Sequence, residues 1–524
     1  MPGPGAATCG CRERTHVSEA LRPESGWRSF PAAFWVANVM ELFERAAYYG
    51  LNSLLAIYLA GRVSEGGLGF GEDRVGLLQS LVYAATYVVP ILGGALADRY
   101  GYRRMLLVAF SFLSAGYFLA AEVSGYGVVF FALVVMAIGS GLFKPIISGT
   151  IARTTSEKNS GMGFGIYYWM INLGALLAPI VAGLARDGLG WKWVFFLSSM
   201  YCGLMFLPTA LVYRDPPRPE NTKSLGEVLR GAVTVLSDAR FMLLVFLYSC
   251  FWILYFQNFG SVLWYLRDFV DTSPMDRFFA GLGLDYRFGP EHVTVINAGT
   301  IVLLQMVVNL AVRRVKPLPT MVSGILIGAA GFFCLALSTR VEVFMLGIAV
   351  FSIGEMTCHP KYYSYIGLVA PADKKAVYMG YAFLYGVIGS LVGSNIGGEA
   401  YRAVLKPLVG QPGSAATLST FWLVFGVLGV AAALLLVGYN RWFGTDTATT
   451  RARARRVMKV IYGGLLLLAP ALVLLLAWRR GTVPPKTWVQ ATIMVAMGGG
   501  GLWTLLRGSV DDSSPPPGAA APDN

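Results

Sequence analysis

Only three histidines occur in 524 residues, and none sits in a His-Glu-x-x-His run that would hold zinc on one helix face. The chain also lacks a Gly-x-Ser-x-Gly turn and a Gly-x-x-x-x-Gly-Lys-Ser/Thr loop, which argues against a hydrolase and against an ATP-driven pump. Cysteine is sparse, with six in the whole chain. Cys202, Cys250, Cys334 and Cys358 fall in apolar stretches, and Cys9-x-Cys11 lacks zinc-ligand spacing and partners. Gly161-x-Gly163-x-Gly165 has the wrong spacing for a dinucleotide loop and leads into an apolar segment, where close helix packing explains it. No metal and no cofactor is expected. Charge is thin as well, at 14% of residues, with acids outnumbered by bases 29 to 42.

Apolar residues take their place: 55% of the chain is hydrophobic and mean hydropathy is +0.58, which is not a soluble globular composition. Fourteen apolar segments can be read, near 31–60, 74–97, 105–124, 126–151, 161–185, 193–213, 241–266, 293–312, 318–338, 343–369, 376–401, 417–440, 457–478 and 487–507. Each approaches the about 20 residues that cross a bilayer as a helix, so the fold class is an all-α membrane protein of about 14 helices. The expected organisation is an N-terminal segment (1–30), a six-helix bundle (31–213), a polar linker (214–239), a second six-helix bundle (240–440), a basic loop (441–456), two extra helices (457–507) and a disordered tail (508–524). The first thirty residues show no short cleavable apolar core, so a retained first helix is expected rather than a secretory signal.

Basic residues set the orientation. If residue 1 lies in the cytoplasm and the segments alternate, 26 of the 42 Lys/Arg fall inside, 13 fall outside, and Arg45, Lys144 and Lys361 lie within helices. That excess places both termini in the cytoplasm. Arg479, Arg480 and Lys486 in the last outer loop run against it. The net charge of +13 then reflects topology and anionic-lipid contact, including the juxtamembrane run Arg451–Lys459, and not nucleic-acid binding.

One cluster needs a separate explanation. Glu41, Glu44, Arg45 and Tyr48 stand at i, i+3, i+4 and i+7, a polar stripe on the first apolar helix. A charge at the bilayer centre costs about 2.5–3.5 kcal/mol on insertion scales, so three in five residues must face a protein interior or aqueous cavity and compensate one another.

Several motifs in register give the stripe a context. Gly93-Gly-Ala-Leu-Ala-Asp98-Arg99-Tyr-Gly101-Tyr-Arg103-Arg104 resembles the loop signature of the major facilitator superfamily, with Asp98, Arg99, Gly101 and Arg103 as its structural residues. Glu41-x-x-Glu44-Arg45-x-x-Tyr48-Tyr49-Gly50, Gly139-x-Gly141-x-x-Lys144-Pro145 and Tyr168-Trp169-Met-Ile-Asn172-Leu-Gly174 are similar to motifs of the proton-coupled oligopeptide transporters. Phe251-Trp252 with Gln257, Asn297, and Gly354-Glu355 followed by Pro360 complete the resemblance across 31–440. It implies the major facilitator fold, two six-helix bundles holding substrate near the midplane between them.

The resemblance also implies roles. Arg45 and Lys144 would bind a peptide carboxylate and Glu355 its amine, while Tyr48, Tyr49, Tyr87, Asn172 and Asn297 would hydrogen-bond the peptide or line the cavity. Glu41, Glu44, Glu355 and His359 are the proton-coupling candidates, with protons as the coupling ion. Glu41 and Glu44 would gain and lose a proton as they lose and meet a cation such as Lys144; the competing reading is a permanent ion-pair cluster that fixes helices 1 and 4. The expected partners are a small substrate, a peptide by this reading, and the bilayer, with a monomer as default and a bacterial inner membrane as location.

Three departures bear on cargo. Phe256 stands where the family has an acid and Asn52 where it often has an arginine; both partners of a salt bridge are replaced, which is near neutral, whereas losing one strands a buried charge. The gate between helices 1 and 7 is therefore expected to close without that pair. His359-Pro360-Lys361 also departs from the pattern. His359, one turn beyond Glu355, is either a replacement proton carrier or partner of Glu355, or a hydrogen-bonded packing residue. Lys361 either snorkels to the cytoplasmic interface or adds positive charge to the cavity and favours an anionic substrate. The alternative cargo is accordingly nitrate, another organic anion, a modified amino acid or a drug-like compound, including export.

Overall fold

The computed structural model describes residues 29–156, 159–216, 225–371, 374–480 and 482–511. Cys9, Cys11 and the Pro515-Pro516-Pro517 tail lie outside them. No strand occurs among the described residues, and one isolated bridge joins Asp271 and Arg340.

The first half comprises α1 (Ala32–Ala60), α2 (Glu72–Tyr100), α3 (Tyr102–Glu122), α4 (Tyr126–Thr154), α5 (Ser160–Leu189), and α6 (Trp191–Leu204), which continues as α7 (Phe206–Leu211). Next comes α8 (Leu225–Ser237). The second half begins with α9 (Ala239–Tyr255), a 3-10 turn at Phe256–Phe259 and α10 (Ser261–Phe269), followed by the short α11 (Ser273–Gly281). It continues through α12 (His292–Val312), α13 (Pro317–Leu337), α14 (Val341–Val369), the short α15 (Lys375–Tyr381), α16 (Leu384–Ala400) and α17 (Ala415–Phe443). The last two helices are α18 (Ala448–Arg480) and α19 (Pro485–Asp511).

Thirteen helical stretches among the described residues are long and apolar enough to cross a membrane. The 29-residue α1 is long enough to cross as well, but it stands outside those thirteen and carries the charge stripe. In α1 the stripe is buried: Glu41, Glu44 and Arg45 are 2%, 0% and 7% exposed.

Two sequence expectations are corrected. The linker is not merely polar connector, because 225–237 is helical and amphipathic. Val228, Ala232, Val235 and Leu236 recur at helical spacing, and Val235 is fully buried. The segment read as 293–312 left His359 as the only histidine within a span, but α12 begins at His292, so two histidines stand on spanning helices.

The loop signature between α2 and α3 is structural. Gly101 turns the chain at φ 94°, a conformation an L side chain adopts only with strain. Asp98 accepts from Arg153 at the end of α4 (2.8 Å), while Arg103 donates to the carbonyls of Thr209 (3.1 Å) and Ala210 at the end of the half. Arg99 instead lies over the Tyr100 ring at 5.6 Å.

The extra helices are tied to the body at both ends. Thr504 in α19 donates to Leu236 of α8 (3.3 Å). At the other end Lys486 bridges Asp73 of α2 (2.5 Å) and Glu399 of α16 (2.6 Å). These two acids account for a lysine that breaks the basic-residue rule in that loop.

Candidate functional site

A cavity of about 570 Å³ separates the halves, walled by α1, α2, α4 and α5 on one side and α9, α12, α14 and α16 on the other. Its size falls within the about 300–1,000 Å³ of small-molecule sites. It extends past Asp98 to Glu227 and Tyr381, so it opens toward the end of the bundle that carries α8.

The opposite end is sealed. Trp264 Nε1 donates to Ala56 O (3.0 Å), Gln79 Nε2 to Phe259 O (2.9 Å) and Asn395 Nδ2 to Ser80 Oγ (2.9 Å). Arg186 of α5 forks onto Glu291 just before α12 at 2.9 and 3.2 Å. Lys406 meets Glu72 at 2.8 Å and Arg402 meets Asp73.

The gate expected to close without its ion pair lies within this seal. Asn52 Oδ1 accepts from Tyr83 Oη (3.3 Å), which also accepts from Gln79 (3.1 Å), and Phe256 stacks on the Tyr83 ring at 5.4 Å. Asn52 and Phe256 thus reach the same tyrosine, with a hydrogen bond and a ring stack in place of two charges. Asn52→Arg or Phe256→Glu alone should destabilise by about 3–5 kcal/mol through a stranded buried charge. The double variant should recover most of that in melting temperature; additive losses would contradict this reading.

On the first-half wall, Arg45 Nε donates to Glu44 Oε2 (2.6 Å), its Nη2 also meets Glu44, and Glu41 lies 3.4 Å away. Glu44 accepts from Ser140 (3.0 Å) and is not on the cavity wall. Glu41 is on the wall, and its Oε2 is buried with no hydrogen-bond partner among the described residues. Lys144 also lines the cavity, but its Nζ sits 5.9 Å from the Tyr48 ring centre and 5.5 Å from that of Tyr87 and forms no ion pair among the described residues. Pro145 beside it cannot donate to the helix ladder, which leaves a carbonyl of α4 open. Tyr48 lies between the two cations, 4.9 Å from the Arg45 guanidinium, and off the wall; Tyr49 and Tyr87 are on it. Asn172 reaches the cavity while donating to Tyr168 O (2.8 Å).

On the second-half wall, Glu355 accepts from Asn297 Nδ2 (2.9 Å), which also reaches Ser352 (2.9 Å). Glu355 has no ion pair among the described residues and faces the cavity. Its helix is held tightly: a Cβ on Gly354 would stand 2.4 Å from the Gly328 nitrogen, so only glycine lets α14 approach α13 this closely. His359 lines the same wall; its Nδ1 is 3.1 Å from Tyr248 Oη, and its ring lies 5.1 Å from Trp252 and 5.2 Å from Tyr363. It is both hydrogen-bonded within an aromatic cluster and open to the cavity, but it does not pair with Glu355. Lys361 does not face the cavity: its Nζ donates to Val312 O (2.7 Å) and Val315 O (3.1 Å), capping the end of α12. Of its two sequence readings, the one that adds positive charge to the cavity is excluded.

Residues the sequence reading did not assign complete the wall. Tyr167, Trp252, Tyr255 and Tyr385 supply aromatic faces, and Val228 and Gly231 of α8 with Gly380 and Tyr381 at α15 form the mouth. The amphipathic spacing of α8 was the available signal; nothing local marks α15.

A charged cavity between two six-helix bundles, sealed at one end and open at the other, defines a transporter and not an enzyme. The chain belongs to the major facilitator superfamily, whose family model matches residues 35–394. The resemblance to oligopeptide transporters holds in wider comparison. Dipeptide and tripeptide permease A of Escherichia coli is 30% identical over 227 residues, 41% of this chain and 44% of the permease. The peptide transporter YePEPT of Yersinia enterocolitica is 29% identical over 194 residues, 36% of this chain and 37% of the relative. The chain thus aligns with less than half the length of these relatives. A POT family transporter solved with 5-aminolevulinic acid superposes with TM-score 0.66 at 20% identity over 80% of this chain and 98% of the other. A POT family transporter solved with a thioalcohol-conjugated peptide gives the same figures. These structures share the fold.

Proposed function

We propose that this protein is a proton-coupled symporter of di- and tripeptides, working by alternating access in a bacterial cytoplasmic membrane with both termini in the cytoplasm. The observation that supports this best is the division of unpaired charge: Lys144 on one wall and Glu355 on the other line one cavity without ion-pair partners among the described residues. A zwitterion with its charges held apart answers both at once. The carboxylate would meet Lys144 first, because Arg45 is engaged by Glu44, and would then draw on the Arg45 fork. The amine would meet Glu355, which Asn297 orients. The peptide-related relatives and the motif order support the substrate class.

Coupling follows from the same competition. A buried carboxylate whose cation is drawn toward substrate takes up a proton, and Glu41 has an oxygen with no partner among the described residues to receive it. Glu41→Gln and Glu44→Gln should each lower pH-driven uptake at least about ten-fold, the loss of roughly one charge-assisted hydrogen bond, at similar folded yield. Retention of the full acid stimulation in both would contradict this role.

Uptake into proteoliposomes of a dipeptide, its N-acetyl form and its C-terminal amide tests the substrate assignment. Both blocked forms should compete poorly. Equal competition by the N-acetyl form, or inert peptides beside a transported anion, would reassign the cargo.

A further inference from the structure

The two helices after α17 lie outside both six-helix bundles, yet α19 touches both ends of the transport path. The pair rides on the second half. A Cβ at Gly498 or Gly501 would press into Tyr462 of α18, whose ring meets Phe246 of α9 at 5.8 Å. At the sealed end α19 runs antiparallel along α16: Lys486 meets Glu399 (2.6 Å), and one turn on Gln490 Nε2 donates to Asn395 Oδ1 (3.3 Å). Lys486 also reaches the first half, where its Nζ donates to Asp73 Oδ2 of α2 (2.5 Å).

The helices that Lys486 joins are in backbone contact. A Cβ on Gly76 of α2 would collide with the Ser394 carbonyl, and one on Gly398 of α16 with that of Glu72. Opening this end requires α2 and α16 to part. Lys406 on Glu72, and Arg402 and Lys486 on Asp73, all cross the junction. Exposed pairs are screened and contribute little. Lys486 is 25% exposed, against 43% for Lys406 and 52% for Arg402, so its bridge is the least screened of the three.

We propose that α19 is a latch on the sealed end: Lys486, carried with the second half, holds Asp73 of the first and favours the state closed there. The latch rests on the alternating-access reading but not on the cargo. Its release leaves no acid stranded, because Asp73 keeps Arg402 and Glu399 is 41% exposed. The same helix reaches the opposite end. Thr504, about 27 Å further along at 1.5 Å per residue, donates to Leu236 O of α8 (3.3 Å), the helix whose Val228 and Gly231 form the mouth.

The test is pulsed electron–electron spin resonance on the full chain in nanodiscs, with its native cysteines replaced. Labels go on Val63→Cys and Leu284→Cys, exposed in sealed-end loops of the first and second halves. At acid and neutral pH, wild type should show a dominant short distance and a minor longer one. Lys486→Gln should raise the long-to-short ratio about five-fold, the strength of a partly exposed ion pair. Lys486→Arg and Thr492→Ala, the latter on the exposed face of α19, should keep the wild-type ratio. In an Asp73→Asn background Lys486→Gln should shift it no further. An equal shift in that background overturns the bridge as the cause, and a Lys486→Gln chain that fails to melt as a folded protein makes the lysine structural and overturns the latch. If wild type opens and Lys486→Gln opens no more, the latch alone falls. One short distance in every variant at both pH values overturns the latch and alternating access together.

Discussion

Lys144→Gln should nearly abolish peptide uptake while leaving the protein as stable as wild type. The two halves of that expectation have different causes. A carboxylate bound through a charge-assisted hydrogen bond gains about 1.5–3 kcal/mol, so its loss lowers affinity by about ten- to 150-fold. Stability has little to lose, because Lys144 neutralises no acid among the described residues and only faces the rings of Tyr48 and Tyr87. Such contacts are worth about 0.5–1 kcal/mol at exposed sites and more when desolvated. Binding by scintillation proximity and melting in detergent separate the two effects.

Arg45→Ala should behave in the opposite way. Arg45 is the counter-ion of Glu44 and Glu41, both almost fully buried. Its removal strands them, at about 3–5 kcal/mol, and folded yield should fall along with uptake. Arg45→Lys should rescue yield more than transport, since an ammonium supplies charge without the two-pronged fork. If Arg45→Ala melted like wild type while Lys144→Gln failed to fold, the two cations would have to exchange roles.

How much of this was readable beforehand depended on whether the signal was local. The spans were legible because a membrane helix must satisfy its backbone internally and be apolar along its length. Glu41, Arg45, Lys144 and Glu355 were legible because a charge inside such a helix has few explanations. Several pairings were not legible. Spacing placed Glu44 and Tyr48 on one face with Arg45, yet Glu44 sits behind it on Ser140 and Tyr48 between the two cations, off the cavity wall. Lys361 could be read either toward the interface or into the cavity, and what decides it are carbonyls at and just past the end of α12, 46–49 residues away in sequence. The replacement of the missing gate pair depended on Tyr83, a third residue that periodicity could not connect to Asn52 or Phe256. The linker helix was not legible because the segment opens Pro-rich and polar, the composition of a connector, ahead of its apolar face.

The most direct test of the central claim is dipeptide uptake into proteoliposomes of the purified full chain, with and without an inward proton gradient. The charge division at Lys144, Arg45 and Glu355, with Glu41 poised beside them, predicts saturable uptake that accumulates peptide only when the gradient is imposed and collapses when it is dissipated. Accumulation indifferent to the gradient, or a peptide that never enters while another solute does, would contradict it.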